Sequence, residues 1–161
     1  MHYRLYRPDD FAALYAIEES CFQPPLRFHR TYMRQLVQSA HAATWIAEED
    51  GSMAGFAIVE WSRAHDVIEA YIQTIEVASE QRRRGIGGEL LRRAEDSARA
   101  AGARLIGLHV HEANASALRL YEAHGYRPAG REEHYYARGQ AALAAVKPLD
   151  AGDKDSPALH T

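Results

Sequence analysis

A basic, glycine-rich segment at residues 82–88 carries the residue types for binding a phosphate group. It reads Arg-Arg-Arg-Gly-Ile-Gly-Gly and lies between a strand candidate and a helix candidate. Glycines at a helix start let several backbone N–H groups point at one anion, and the helix dipole and arginines add favourable charge. The marker residues of ATP, GTP and NAD loops are missing, so we expect a pyrophosphate. The alternative is a solvated arginine run before a glycine-rich helix start.

Hydrophobic periodicity and turn residues indicate the elements that position this segment. Strand-like alternation covers residues 2–7, a helix covers residues 8–21, and a second helix begins near Phe28. The prolines of Phe22–Leu26 forbid a continuous helix between the two. They leave apolar side chains on a rigid loop that could face a ligand.

Six further strands and two helices are predicted downstream. Asp-Gly at residues 50–51 is a strong hairpin signal, and the strand over Val67–Val77 leads directly into the glycine segment. The other predictions are strands Thr44–Glu49 and Met53–Trp61, a helix Gly85–Ala101 capped by Gly102, a strand Leu105–His111, a helix Ser116–His124, and strands Gly130–Glu133 and Tyr135–Val146. From Asp150 onward we expect disorder.

Several further motifs accompany the glycine segment in a fixed order along the chain. R-x-x-G-x-G at residues 82–87 is preceded by Ile-Glu-Val at 75–77 and followed by Leu90-Leu91. The later members are Leu108-His109-Val110, Asn114, Leu120-Tyr121 and Gly125-Tyr126. This order resembles the acetyl-CoA motif of the GNAT superfamily. The resemblance implies one GNAT N-acetyltransferase domain over residues 1–149, with a disordered tail at 150–161. It also implies an α/β (α+β) fold with a mixed, mostly antiparallel sheet of about seven strands and about four helices.

The resemblance further implies a binding site for acetyl-CoA. The backbone at Ile75 and Val77 is expected to hold the pantetheine arm, and Asn114 and Tyr121 to flank the thiol end. The pyrophosphate is expected at Arg82, Arg83, Arg84, Gly85, Gly87 and Gly88. Alternatively, Asn114 caps the following helix and Tyr121 is a packed core aromatic.

Acetyl transfer from a thioester to an amine needs a deprotonated amine, a polarised carbonyl and a protonated leaving thiolate. Tyr121 is the predicted general acid, because a phenol keeps its proton at neutral pH. Histone-type members carry a catalytic Glu where this chain has Tyr71, and bacterial ribosomal-protein-alanine acetyltransferases carry one where it has His109.

Tyr71 and His109 instead resemble the residues that hold a proton-accepting water in eukaryotic E-type N-terminal acetyltransferases. A neutral imidazole suits an α-amine of pKa about 8 better than a lysine near 10. The alternatives are a core histidine and a tyrosine packed in the sheet.

Two other candidates for chemistry rank lower. Glu76 is a rival base, but strand alternation places it on the opposite face from Tyr71 unless a bulge intervenes. His109 and His111 have no supporting Cys or acidic cluster, so we predict no metal. Cys21 is the only cysteine, which excludes an intrachain disulfide, and it is an improbable nucleophile.

The predicted substrate is the α-amine of a protein or peptide N-terminus with a hydrophobic first residue. Residues expected to contact it are Phe22, Pro24, Pro25, Leu26, Tyr135 and Tyr136. For those residues, the alternative is packing within the hairpin and the core. For the substrate, the alternative is a small-molecule amine such as a polyamine, amino acid or drug, which an acidic mouth would indicate. For the activity, the alternative is a non-catalytic CoA-binding or interaction module.

Composition limits the partners. The formal net charge of −3 argues against a general nucleic-acid or membrane-surface binder. No run of about eighteen apolar residues occurs, and the cysteine usage fits a reducing compartment. We therefore expect a cytoplasmic monomer or homodimer.

Overall fold

The computed structural model describes residues 1–149 and arranges them as seven strands and four α-helices. In chain order they are β1 (His2–Leu5), α1 (Phe11–Cys21), α2 (Arg30–Gln38), β2 (Ala42–Glu49), β3 (Ser52–Ala64), β4 (Val67–Val77), α3 (Ile86–Ala100), β5 (Ala103–His111), α4 (Ala115–Ala123), β6 (Arg127–Ala137) and β7 (Gln140–Pro148). The sheet order is β1-β2-β3-β4-β5-β7-β6, and only β4 and β5 are parallel. This confirms the predicted fold class. The predicted disorder at 150–161 lies outside the described residues, and the domain boundary stays a prediction.

Helices cover both faces of the sheet because each element has one apolar face. Leu91 and Ala94 of α3 pack with Ile106 of β5 on one face. On the other face, Leu14 of α1 packs in a cluster with Phe56 of β3. None of the helices within residues 1–149 has the length and apolar character to cross a membrane.

The boundary between the last two strands differs from the sequence prediction. Tyr135 belongs to β6, which continues to Ala137, and β7 begins only at Gln140. Gly139 makes the turn at φ 76°, a conformation that favours glycine. The β6–β7 pairing is interrupted between Glu132 and Ala137, with His134 at φ 57°, so β6 bulges where a break was predicted.

β4 and β5 separate towards their C-terminal ends. Their pairing runs from Ile68 with Ala103 to Tyr71 with Gly107 and stops there. β4 nevertheless continues for six residues to Val77, and β5 continues to His111. Backbone groups on the facing edges are therefore available to a ligand lying between the strands.

A β-bulge at Gln73 corrects the prediction for Glu76. On β3, Ile58 pairs with Thr74 and the next residue pairs with Ile72, so Gln73 is skipped. One extra residue reverses the alternation beyond it, which places Glu76 on the same face of the sheet as Tyr71. The bulge depends on pairing with β3, which local alternation does not reveal.

Candidate active site

Tyr71 and His109 meet at the point where β4 and β5 separate. The Tyr71 hydroxyl lies 2.8 Å from His109 Nδ1, and the ring centroids are 5.8 Å apart. Each residue points away from the α3 face, where Leu108 and Val110 of β5 are buried. Two residues that are 38 positions apart in the sequence are thus joined by one hydrogen bond.

Strand β6 covers this pair with aromatic rings. Tyr135 stacks on His109 at 4.6 Å with an interplanar angle of 14°, and Tyr136 stacks on His111 at 5.4 Å. The two tyrosines contact each other edge to face at 4.9 Å. Both were predicted to lie at the substrate mouth, and the structure brings them to the Tyr71–His109 pair.

Glu132 also reaches His109 from β6, and sequence reasoning missed it. Its Oε2 lies 2.8 Å from His109 Nε2, so both imidazole nitrogens have partners. No local sequence signal pointed to Glu132, because it lies in a run of charged residues at the start of the irregular part of β6.

The phenols of this region are held in their protonated form. Burial raises the pKa of Tyr71 well above its usual range, and the neighbouring Tyr135 raises it further. Burial also raises the pKa of Tyr136 to about 12. The Tyr71 and Tyr136 hydroxyls therefore keep their protons in the pH range of an ordinary assay.

Tyr121 lies on α4 and contacts Tyr126 edge to face at 5.6 Å. Burial raises the pKa of Tyr121, with a smaller contribution from Tyr136 of β6. Tyr121 also packs against the buried α3-side cluster, so the core-aromatic alternative describes part of its surroundings. Its hydroxyl remains a proton donor at neutral pH.

Asn114 is the N-cap of α4. Its Oδ1 accepts a hydrogen bond from the Ala117 backbone N–H at 3.1 Å. The capping alternative is therefore what the structure shows for this oxygen. The side-chain NH₂ group is left for any ligand contact.

The glycine segment forms the turn into α3. Gly85 is the N-cap, and its φ of 77° is a conformation that L side chains rarely adopt. Arg82 Nε donates to the Val77 carbonyl at 3.0 Å, and Arg84 pairs with Glu49 at 2.9 Å. Arg83 is exposed in this turn.

Gly87 and Gly88 have a second role, because α4 packs closely against them. A Cβ at Gly88 would lie 3.2 Å from the His124 ring, and one at Gly87 would lie 3.5 Å from Leu120. These glycines allow the approach of the two helices.

The residues around the β4–β5 opening fit acetyl-CoA. Unpaired strand edges can hold the pantetheine arm, and exposed arginines with a helix N-terminus can hold the phosphates.

The Phe22–Leu26 loop follows α1 and is joined to Arg27 by a hydrogen bond. Arg27 Nε donates to the Phe22 carbonyl at 3.0 Å. The neighbouring Cys21 lies 3.9 Å from the Val77 carbonyl, so the loop adjoins the C-terminal end of β4. A role for Phe22, Pro24, Pro25 and Leu26 in substrate binding stays a prediction.

Three polar residues near Tyr71 were also missed by sequence reasoning. Tyr32 of α2 lies 3.3 Å from the Gln73 side chain, which also bonds to Glu60. Glu60 pairs with Tyr71 across β3 and β4. The α2 helix and the Gln73 bulge together place one carboxylate beside the candidate catalytic pair.

Glu76 and Glu18 of α1 are buried next to each other and have almost no contact with solvent. The residues are 3% and 1% exposed. Burial and the neighbouring Glu18 carboxyl raise the pKa of Glu76 well above its usual range, and Thr74 donates to its Oε2 at 2.7 Å. A carboxyl that keeps its proton cannot act as a base, so Glu76 remains the weaker candidate although it shares a face with Tyr71.

This raised pKa leads to a stability prediction for Glu76→Gln. The carboxyl takes up a proton on folding, so its contribution is complete below the ordinary pKa of 4.5 and is lost as the pH rises above it. Glutamine does not titrate, so the variant should gain stability relative to the wild type by up to about 1.4 kcal/mol per pH unit. Urea unfolding at several pH values between about 5 and 8 measures this.

The matched control is Glu80→Gln, which changes an exposed carboxyl in the turn after β4. Its difference from the wild type should change less with pH than the Glu76→Gln difference, because the Glu80 side chain stays in contact with solvent. Equal changes with pH in the two variants would contradict the raised pKa of Glu76.

Comparison with known proteins identifies the family. The model of the acetyltransferase (GNAT) family matches residues 11–126. Streptothricin acetyltransferase of Streptomyces lavendulae is 35% identical over 116 residues, which are 69% of this chain and only 60% of that protein. N-alpha-acetyltransferase RimI of Mycobacterium tuberculosis is 32% identical over 130 residues, covering 81% of this chain and 77% of the relative.

The fold comparison agrees with the sequence comparison. The crystal structure of the ribosomal-protein-S18-alanine N-acetyltransferase from Escherichia coli superposes with a TM-score of 0.78 at 25% identity, covering 92% of this chain and 93% of that chain. The chain belongs to the acetyltransferase (GNAT) family. The predictions of an acetyltransferase and of acetyl-CoA as its donor are thereby confirmed, and the non-catalytic alternative is set aside.

Proposed function

We propose that this protein acetylates the α-amine of protein or peptide N-termini by direct transfer in a ternary complex. The observation that carries the proposal is the 2.8 Å hydrogen bond between Tyr71 and His109, covered by Tyr135 at 4.6 Å. In this arrangement the imidazole is a candidate proton acceptor beneath a stacked tyrosine ring. The relationship to an N-alpha-acetyltransferase adds support.

The Tyr71–His109 pair is proposed to deprotonate the incoming amine. An α-ammonium group with a pKa about 8 is within reach of an imidazole, directly or through one water molecule. Tyr71 holds the water or amine at its hydroxyl oxygen, and His109 accepts the proton at its imidazole. The aromatic rings of β6 limit access of bulk water to the pair.

The donor site is proposed at the opening between β4 and β5. In this proposal the backbone of Ile75 and Val77 holds the pantetheine arm, Asn114 and Tyr121 flank the thiol end, and the turn at 82–88 binds the phosphates. Acetyl-CoA, when bound, supplies the acetyl group as a thioester. Tyr121 keeps a proton on its phenol oxygen for the leaving group, because its pKa is raised.

The substrate is proposed to enter between the Phe22–Leu26 loop and the β6 aromatic residues. Tyr135 and Tyr136 present rings and hydroxyls that suit a short peptide backbone. The apolar loop suits a hydrophobic first side chain. In this proposal the enzyme works as a cytoplasmic monomer or homodimer without metal, nucleic acid or membrane.

Release of CoA with acetyl-CoA and two amine panels tests the proposal. One panel contains peptides that differ in the first residue, and the other contains free polyamines and amino acids. Peptide turnover should exceed small-amine turnover, and it should depend on His109. Efficient turnover of polyamines with inert peptides would contradict the proposed substrate.

A small cationic amine is the second candidate substrate. The observation that favours it is the pair of carboxylates at the mouth, Glu60 beside Tyr71 and Glu132 beside His109. Streptothricin acetyltransferase, the relative with 35% identity, is consistent with such an activity. Under this reading, Glu60→Gln should raise KM for polyamines about tenfold, because a cation loses an opposite charge.

A further inference from the structure

The two nitrogen atoms of His109 have unlike partners, and this determines which one carries the hydrogen. Nε2 lies 2.8 Å from Glu132 Oε2, and Nδ1 lies 2.8 Å from the Tyr71 hydroxyl. A carboxylate can only accept a hydrogen bond, whereas a phenol can donate one. The neutral imidazole therefore places its N–H on Nε2, facing Glu132, and accepts at Nδ1 from Tyr71.

From this arrangement we infer that Glu132 is a positioning residue that fixes the His109 tautomer and conducts the substrate's proton to solvent. The inference rests on the proposed function. It extends that function by specifying which His109 nitrogen accepts the proton and which group passes it to solvent. Tyr71 uses its hydrogen for His109, so its oxygen lone pairs are left to accept the N–H of the amine or of a bridging water.

Proton transfer then runs from the amine through Tyr71 and His109 to Glu132. The amine gives a proton to the Tyr71 oxygen as Tyr71 passes its own proton to His109 Nδ1, so Tyr71 stays neutral. The imidazolium that forms is stabilised by the Glu132 carboxylate, which then takes the Nε2 proton. Glu132 releases it to water and returns to the carboxylate, which leaves the remaining imidazole hydrogen on Nδ1. After the product departs, exchange with water, in which Nε2 gains one proton and Nδ1 loses one, restores the Nε2–H tautomer.

The solvent exposure of its side chain supports Glu132 as the group that releases the proton to water. Its side chain is 54% exposed, whereas that of His109 is only 19% exposed. The charge of Glu132 is also left for His109, because the neighbouring Arg131 pairs with Glu112 at 3.0 Å and with Glu133 at 2.8 Å. The His109 ring thus has a buried edge that faces Tyr71 and a solvent-exposed edge that faces Glu132.

The backbone of β6 explains why Glu132 and Tyr135 both contact one imidazole. Regular pairing with β7 ends at Glu132 opposite Ala142, and His134 takes a positive φ of 57°. The bulge brings Tyr135 over the His109 ring while Glu132 meets its edge. The other titratable groups around the pair are Tyr32 of α2, Glu60 of β3, and His111 and Tyr136, which stack together.

The test compares Glu132→Gln with Glu133→Gln, its neighbour, whose partner is Arg131. Glutamine can still accept from Nε2–H but brings no charge. With a peptide substrate, Glu132→Gln should lower kcat about tenfold to a hundredfold with little change in KM, a range typical of groups that orient a functional imidazole. Glu133→Gln should behave as the wild type.

The division of the effect between kcat and KM separates this role from a structural one. An unchanged kcat would make Glu132 a surface ion pair only. A raised KM with unchanged kcat would assign Glu132 to substrate binding, and both results overturn the inference.

Nitrogen-15 NMR of the imidazole tests the tautomer without any turnover. Wild-type His109 at neutral pH should show its hydrogen on Nε2, and Glu132→Ala should weaken that preference. A hydrogen on Nδ1 in the wild type would overturn the inference whatever the substrate is. Failure of every amine to react, with the Nε2–H tautomer present, would instead count against the proposed function.

Discussion

Replacing His109 by alanine should lower kcat/KM for the preferred amine about 10²- to 10⁴-fold, the usual range for a general base. The variant removes the acceptor that lies 2.8 Å from the Tyr71 hydroxyl. Steady-state CoA release over a range of peptide concentrations measures the effect. Tyr71→Phe should show a loss in the same range, because it removes the hydroxyl proposed to contact the amine.

His111→Ala is the matched control. His111 lies two residues further on the same strand face and also stacks on a tyrosine, but its Nδ1 accepts from the Ala113 backbone N–H at 3.1 Å. Its replacement should change kcat/KM only slightly. Equal losses in the two variants would show that the stacked aromatic layer, rather than base catalysis by His109, supports activity.

Replacing Tyr121 by phenylalanine should lower kcat about 10²- to 10³-fold, with the KM for acetyl-CoA nearly unchanged. The ring and its contact with Tyr126 remain, and only the proton donor is lost. Burial holds the pKa of Tyr121 above its ordinary value of 10.0, so the donor stays protonated throughout the assay range. Activity of the wild type should therefore show no alkaline decline from Tyr121.

Tyr126→Phe serves as its control, because Tyr126 is a buried neighbour with a structural hydrogen bond. Its hydroxyl donates to Glu95 Oε2 at 2.8 Å. The loss should cost about 1–3 kcal/mol of unfolding free energy and leave kcat near the wild-type value. An unaffected kcat in Tyr121→Phe would exclude Tyr121 as the acid, and an alkaline decline that disappears in Tyr121→Phe would contradict its raised pKa.

Local sequence signals were sufficient for most of the fold and for the cofactor turn. Gly85 takes the positive φ required at the start of α3, and Asp50-Gly51 turns with φ values of 54° and 81° between β2 and β3. These features depend on a few adjacent residues, so they can be recognised in the chain alone. The resemblance of the motifs also supplied the pairing of Tyr71 with His109, which the structure places in hydrogen-bond contact.

What the sequence by itself determined was therefore the order of the elements, the glycine turn and the candidates for base and acid. Tertiary structure alone decided that Glu76 shares a face with Tyr71, because the Gln73 bulge arises from pairing with β3. It also decided that Glu132 meets His109 across 23 positions. Alternation along a strand is a local property, whereas bulges and contacts between distant strands depend on the partner strand, and no short segment of the chain encodes them.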